Sequence, residues 1–205
     1  HQIHRVVHYP KSNFKIKYGF HWCFTPWRNF YPRHNHKNLV VIKNEEKNSD
    51  NTSDIFEQIE QLADLKETLA DVSALADASV VTTLNHLYDI LIEKYGRPMS
   101  KPKEGKPSVP QHMLVIAMGK HGAKELNVSS DIDLIFAYPH SGETDHPKKP
   151  IDNQLFFTRL GQKLIHVLDH INADGFVFRV DMRLRPYGHS GALALNFSSF
   201  EDYYY

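Results

Sequence analysis

The sequence has few of the features that mark membrane or secreted proteins. Its 205 residues include a single cysteine, Cys23, so no disulfide can form within the chain. No apolar run approaches the ~18 residues of a membrane span. A signal-peptide pattern of a basic start, an apolar stretch and a small-residue cleavage site is also missing. We therefore expect a cytoplasmic protein without a membrane segment. The chain is long enough to bury a substantial core, and its hydrophobic content of 41% is ordinary for a soluble protein.

Acidic residues are missing from residues 1–44, which contain eight Lys and Arg. The remaining chain has 16 basic and 24 acidic residues, so a net charge of zero hides two pieces with different properties. Residues 1–54 also hold both tryptophans and show neither helical periodicity nor clean strand alternation. We expect this segment to be atypical, either irregular or foreign to the rest.

Two functional readings of residues 1–54 are weaker. Basic residues interleaved with aromatics are typical of nucleic-acid binding, but that role would rest on this segment alone. Zinc binding would need ligands such as His21, Cys23, His34 and His36, whose spacing fits no closed zinc motif.

Helical periodicity begins at Ile55 and predicts a helical segment over residues 55–97. Apolar residues recur at three- and four-residue steps, as an amphipathic helix requires: Ile55, Ile59, Leu62, Leu65, Leu69, Val72, Leu75 and Ala76. Ser53 or Asp54 is the expected N-cap. A second helix is predicted from Ala76 to Tyr95, ending at Gly96 and Pro98. Its buried face would consist of Val80, Leu84, Leu87, Tyr88 and Leu91.

An exposed linker, residues 98–112, is predicted next because four prolines and three lysines follow one another closely. Residues 113–205 then read as an α/β unit behind the helical segment. Strands are expected at 113–118, 131–138, 176–182 and 192–197, with a charged surface loop at 139–150. A helix is expected at 152–170, burying Leu155, Phe156, Leu160, Leu164, Val167 and Leu168.

Carboxylates at strand ends carry the strongest chemical signal. Asp131 and Asp133 would lie on one face of a strand while Ile132 enters the core. Two neighbouring like charges repel unless a cation lies between them, and magnesium prefers such oxygen ligands together with phosphate. Asp181, after another strand, would complete a site for two ions. Gly122 belongs to a turn whose small residues allow backbone N–H groups to approach a phosphate.

Other interpretations of these residues remain open. A lone Asp-x-Asp is often only a solvated strand end, but here a glycine turn and a serine pair precede it. The sequence lacks both the P-loop pattern and the dinucleotide-binding glycine fingerprint. Arg183 and Arg185, which follow Asp181, are either surface charges or bidentate ligands of an adenylate phosphate.

The chain closely resembles the bacterial glutamine synthetase adenylyltransferase/adenylyl-removing enzymes from about Ile55 to Tyr205. The motifs that carry the resemblance are Leu62–Leu65, Ser73–Ala78, Met118–Phe136, Ile151–Asn153, Phe156–Leu160, Asp174–Pro186 and Glu201–Tyr204. The resemblance implies an α+β nucleotidyltransferase (polymerase-β-like) mixed-sheet domain, residues 113–205, preceded by helices. It implies magnesium, AMP, ADP, ATP and phosphate as ligands, and glutamine synthetase and the PII signalling protein as partners.

That family contains two such domains, one adding AMP to a tyrosine of glutamine synthetase and one removing it by phosphorolysis. The amino-acid sequences of residues 127–133 and 180–183 resemble those of the N-terminal, adenylyl-removing domain. The resemblance then assigns Asp131, Asp133 and Asp181 to the metal and Gly122 and Ser130 to the phosphates. Forward adenylyl transfer and a non-catalytic module that binds glutamine synthetase or PII are the alternatives.

Several positions depart from the family pattern. His121 stands where leucine is usual, Ala123 replaces a second glycine, and Ala192 stands where proline is common. Residues 1–54 do not resemble the family. The chain begins without Met and ends inside an expected helix, so we expect a fragment, truncated within the catalytic domain.

Overall fold

The computed structural model describes residues 5–8, 64–102, 107–173 and 175–204, with the backbone alone for residues 5–8. The elements, in chain order, are β1 (Arg5–His8), α1 (Leu65–Tyr95), β2 (Leu114–Met118), α2 (Gly119–Ala123), β3 (Ile132–Tyr138), α3 (Asn153–Asp169), β4 (Val180–Asp181), a 3₁₀ turn (Gly188–Ser190), β5 (Ala194–Asn196) and α4 (Phe197–Tyr204). No helix within these ranges is both long and apolar enough to cross a membrane.

Strand β3 is the centre of a mixed five-stranded sheet. Strand β2 lies antiparallel along one side of it, and β1 lies antiparallel on the outer side of β2. The other side of β3 pairs in parallel with β4 near its start and with β5 near its end. Two short strands therefore share one edge of β3, and the observed class is α+β with a mixed sheet.

The two faces of the sheet are covered by different helices. On one face, β-strand residues pack with α1 and α3 in the main core, whose buried members include Leu84, Leu134, Phe136, Phe156 and Leu164. On the other face, a smaller cluster around Ile116 and Ile135 contacts Phe197 and Phe200. Strand β3 is buried on both faces, which is why it reads as a nearly continuous apolar run.

Helix α1 corrects the prediction of two helices meeting at Ala76, because one helix continues from Leu65 to Tyr95. Ala76, Asp77 and Ala78 contain neither proline nor glycine, so nothing in the sequence interrupts the backbone there. All five residues predicted for the buried face of the second helix are buried. Leu65 and Leu75 are exposed, contrary to prediction. Residues 53–63, with the predicted N-cap, lie outside the described residues.

Helix α3 confirms the predicted element with one correction to its face. Phe156, Leu160, Leu164 and Leu168 are buried as expected, whereas Leu155 and Val167 are exposed. Phe157 is buried instead and stacks on Tyr138, with the ring centroids 4.7 Å apart. The cap is Asp152, whose side chain accepts a hydrogen bond from the backbone N–H of Gln154.

The predicted linker is held against the domain at both described ends. Pro98 pairs with Thr144 and Met99 with Pro110 in isolated bridges. Gln111 is buried, and its backbone carbonyl accepts a hydrogen bond from the Tyr88 hydroxyl at 2.9 Å. The described parts of the predicted linker are therefore hydrogen-bonded to each other and to the domain.

Strand β1 was not predicted, because residues 5–8 offer only two β-branched residues between two basic ones. It pairs with β2 through Arg5 opposite Ala117 and Val6 opposite Ile116, and a bulge follows. The rest of the atypical segment, including the four residues considered as zinc ligands, lies outside the described residues.

Candidate active site

Strands β3 and β4 bring two of the predicted carboxylates side by side. Asp133 and Asp181 are direct partners in the parallel register, and Ile132 pairs with Val180 one residue earlier. Ile132 is fully buried while Asp133 is half-buried, so the alternation places the carboxylate away from the main core. Asp131 lies immediately before β3. The structure therefore gathers the three predicted carboxylates at one end of the sheet.

Gly119 forms the wall against which Asp133 lies. It directly follows β2, opposite the start of β3, and its φ of 53° is left-handed. A Cβ atom at this position would stand 2.5 Å from the Asp133 Oδ2 atom, closer than side chains can approach. The left-handed backbone therefore favours glycine here, and any larger residue would also displace the Asp133 carboxylate.

The electrostatics of Asp133 and Asp181 differ. Burial raises the pKa of Asp133, and the charges of Asp181 and Asp131 raise it further, against smaller effects of Arg183 and His121. The pKa of Asp181 is lowered, chiefly by the hydrogen bond that the Arg183 side chain donates. Asp133 is thus the carboxylate whose negative charge is least compensated.

Arginine side chains neutralise the other two carboxylates. Arg179 Nε lies 2.7 Å from Asp131 Oδ1, an ion pair without the alignment of a hydrogen bond. Arg183 donates to Asp181 from its backbone N–H at 2.8 Å and from Nε at 2.7 Å, and its terminal nitrogen is 2.5 Å from the same carboxylate. The Arg183 side chain is 70% exposed, so its guanidinium is accessible to a second anion.

The serine pair forms a turn beside the carboxylates. Ser130 Oγ donates to Asn127 Oδ1 at 2.5 Å, and the backbone N–H of Ser130 donates to the carbonyl of Asn127. Lys120 Nζ approaches Ser130 Oγ at 3.5 Å. Arg179 also donates to the carbonyl of Ser129 at 2.7 Å. This turn therefore collects two cations at the edge of the site.

Two predicted phosphate ligands have positions that favour a structural role. Gly122 is buried within α2. Arg185 donates to the carbonyl oxygens of Met182 at 2.8 Å and His189 at 3.3 Å, which braces its own loop. Their binding to phosphate stays a prediction.

Gly119, Lys120 and Arg179 are the site residues that sequence reasoning missed. Gly119 and Lys120 directly follow a predicted strand. Their place at the end of that strand could have identified them as neighbours of the carboxylates. Arg179 sits two residues before Asp181 and would have been expected on the same strand face.

The donor chemistry of the site suits magnesium. Three carboxylates would supply hard oxygen ligands, and a dication would relieve the repulsion from Asp181 and Asp131 that, after burial, raises the pKa of Asp133. In the part of the chain that the structure describes, no three His, Cys, Asp or Glu side chains stand ready-made as a metal cluster. Since Arg179 and Arg183 hold two of the three carboxylates, metal binding would require these ion pairs to rearrange.

These features define an α+β protein with an anionic cluster at the end of a mixed sheet, bordered by a glycine turn and cations. Comparison with known proteins places it more narrowly. The chain belongs to the glutamate-ammonia ligase adenylyltransferase family, whose sequence model matches residues 47–205. The match begins eight residues before Ile55, where the resemblance was expected to start.

Curated relatives agree with this assignment. The chain is 53% identical over 150 residues to a bifunctional glutamine synthetase adenylyltransferase/adenylyl-removing enzyme of Pseudomonas putida, and 54% identical over 150 residues to that of Pseudomonas aeruginosa. Each alignment covers 73% of this chain and 15% of the relative. The enzyme of the same name from Shewanella oneidensis is 54% identical over 142 residues, 69% of this chain and 14% of the relative. The chain thus spans about a seventh of the length of these relatives.

Proposed function

We propose that the site removes AMP from adenylylated glutamine synthetase by phosphorolysis. A phosphate oxygen forms a bond to the phosphorus of the AMP–tyrosine phosphodiester, the bond from phosphorus to the tyrosine oxygen breaks, and that oxygen takes a proton. The products are ADP and unmodified tyrosine. The observation that carries the proposal is the pairing of Asp133 with Asp181 in register, beside Asp131 and against Gly119.

The three carboxylates would hold magnesium, which would supply positive charge to the oxygens that gain negative charge during the displacement. Asp133 is the strongest candidate for this role, since its own charge is the least compensated. Asp131 and Asp181 would join it after exchanging their arginines for the ion.

The cations around the site would then orient phosphate groups. Arg183 lies across Asp181 with most of its side chain exposed, so rotation of the guanidinium would transfer its donors to a phosphoryl oxygen. Lys120 adds a point charge beside Ser130. Positioning and charge stabilisation are the main requirements of phosphoryl-type transfer, and these residues supply both.

The direction of the reaction is supported by the amino-acid sequence around the site rather than by the geometry of the site. Residues 127–133 and 180–183 resemble the adenylyl-removing copy of the family, and the relatives carry both activities in their names. We extend the proposal to glutamine synthetase as protein substrate, to PII as a regulatory partner, and to the cytoplasm, where the single cysteine would stay reduced.

Product analysis tests the proposal. The 205-residue chain is incubated with adenylylated glutamine synthetase, phosphate and magnesium, and ADP is measured. We expect ADP release that requires phosphate. Incorporation of AMP from ATP into glutamine synthetase, without ADP release, would instead assign the forward reaction. Binding of glutamine synthetase with neither reaction would assign a non-catalytic module.

A further inference from the structure

Helix α1 contacts the segment after β2 through two polar side chains on one face. Ser73 and Asp77 are four residues apart and therefore neighbours on the helix surface. Ser73 Oγ accepts a hydrogen bond from the backbone N–H of Leu126 at 3.2 Å and donates to the carbonyl of Leu69 at 2.7 Å. Asp77 Oδ1 lies 2.8 Å from His121 Nε2. The helix thus holds residues 121–126 at both ends.

His121 depends strongly on Asp77 for its orientation. The imidazole is completely buried, and Asp77 is 20% exposed. A carboxylate only accepts hydrogen bonds, so Nε2 of His121 carries the hydrogen and donates it. Among the described residues, Nδ1 has no hydrogen-bond partner. Since a buried polar ring without a partner is costly, loss of Asp77 would free this ring to move.

The position of His121 is transmitted to the carboxylate cluster through the backbone. His121 and Gly119 belong to the same five-residue helix α2, and Gly119 limits where the Asp133 carboxylate can lie. A shift of α2 by a fraction of an ångström would therefore move the wall of the site.

We propose that Asp77 and His121 are positioning residues that couple helix α1 to helix α2, whose first residue, Gly119, lies against Asp133. The inference rests on the proposed function for its kinetic consequence but on geometry alone for the coupling. Asp77 and His121 fix α2, and α2 fixes Gly119 against Asp133.

A double-mutant cycle tests the coupling. Asp77→Ala, His121→Leu and the double variant are compared with wild type, Asp71→Ala serves as the matched exposed control on α1, and Asp77→Asn and His121→Gln keep hydrogen-bonding capacity. The first readout is amide hydrogen exchange at Lys124 and Glu125, measured by NMR, because their backbone N–H groups donate to the carbonyls of His121 and Lys120. We expect roughly ten- to a hundredfold faster exchange in Asp77→Ala, no change in Asp71→Ala, and substantial rescue in Asp77→Asn.

The second readout is ADP release, split into kcat and KM for phosphate. We expect kcat to fall about tenfold or more in Asp77→Ala with a smaller change in KM, because a displaced wall affects the reacting geometry. The effects of Asp77→Ala and His121→Leu should be strongly non-additive.

Additive exchange effects, or an Asp77→Ala variant that behaves like Asp71→Ala, would overturn the inference. If wild type releases no ADP, the proposed function fails while the exchange data still decide the coupling. If Asp77→Ala or His121→Leu does not fold, Asp77→Asn and His121→Gln decide whether the coupling exists. Amide exchange close to that of wild type in both variants supports coupling through the hydrogen bond. Faster exchange in both variants contradicts it.

Discussion

Gly119 and Gly188 have the same left-handed backbone, with φ of 53°, but different surroundings. At Gly188 an added Cβ would meet only the carbonyl oxygen of Arg183 at 3.7 Å, an ordinary contact. At Gly119 it would stand 2.5 Å from Asp133 Oδ2. Alanine at either position should cost about 1–2 kcal/mol in backbone strain. Comparing the two variants therefore isolates the effect of displacing the carboxylate.

The expected displacement is large on the scale of catalysis. Ordinary contact begins near 3.4 Å, so Asp133 would have to move by about an ångström in Gly119→Ala. A misplacement of this size costs on the order of a hundredfold in rate. We expect both variants to lose similar stability in urea unfolding, and only Gly119→Ala to lose ADP release by this factor. Equal activity in the two variants would refute the role of Gly119 as the wall of the site.

Two further predictions concern the scaffold. The Tyr138 hydroxyl donates to Gln154 Oε1 at 2.7 Å, and Gln154 Nε2 donates to the carbonyl of Ala194. Tyr138→Phe should therefore lower the free energy of unfolding, measured in urea, by about 1–2 kcal/mol. An effect no larger than that of Tyr203→Phe, which changes an exposed tyrosine, would contradict this prediction. Burial, with a smaller effect of Arg97, lowers the pKa of His112 below 6.5, so the unfolded state binds the proton more tightly. Stability should therefore fall as the pH drops through about 6.5, and His112→Gln should flatten that part of the stability profile; an unchanged profile would remove His112 as a cause.

The helices and central strands were predictable because their patterns are local. The buried face of α1 from Val80 to Leu91 follows helical spacing, and Gly96 ends the helix as expected. Leu75 and Leu155 fit the same spacing but are exposed, since periodicity does not reveal where a neighbouring element stops covering a helix. Strand β1 pairs with β2, which lies more than a hundred residues further along the chain. Four residues are too few to show the alternation of apolar and polar side chains that would predict a strand.

The carboxylates of the site were predictable and its walls were not. Alternation placed Asp131 and Asp133 on one face, and a strand end placed Asp181 near them. Gly119 approaches Asp133 only because β2 pairs with β3, and spacing along the sequence does not specify that pairing. The sequence therefore indicated Gly122, whereas the glycine that contacts the carboxylate is Gly119. The pairing of Arg183 with Asp181 and of Arg179 with Asp131 arises from side-chain geometry that spacing alone does not specify.

The most direct test of the central claim is phosphate-dependent ADP release from adenylylated glutamine synthetase by wild type, Asp133→Asn and Asp89→Asn. Asp89 is an exposed carboxylate on α1 and serves as the matched control. Because Asp133 has the least compensated charge of the cluster, we expect its amide variant to lose activity by at least a hundredfold while it remains folded. Asp89→Asn should retain full activity. ADP release that survives in Asp133→Asn would contradict the assignment of the carboxylate cluster as the active site.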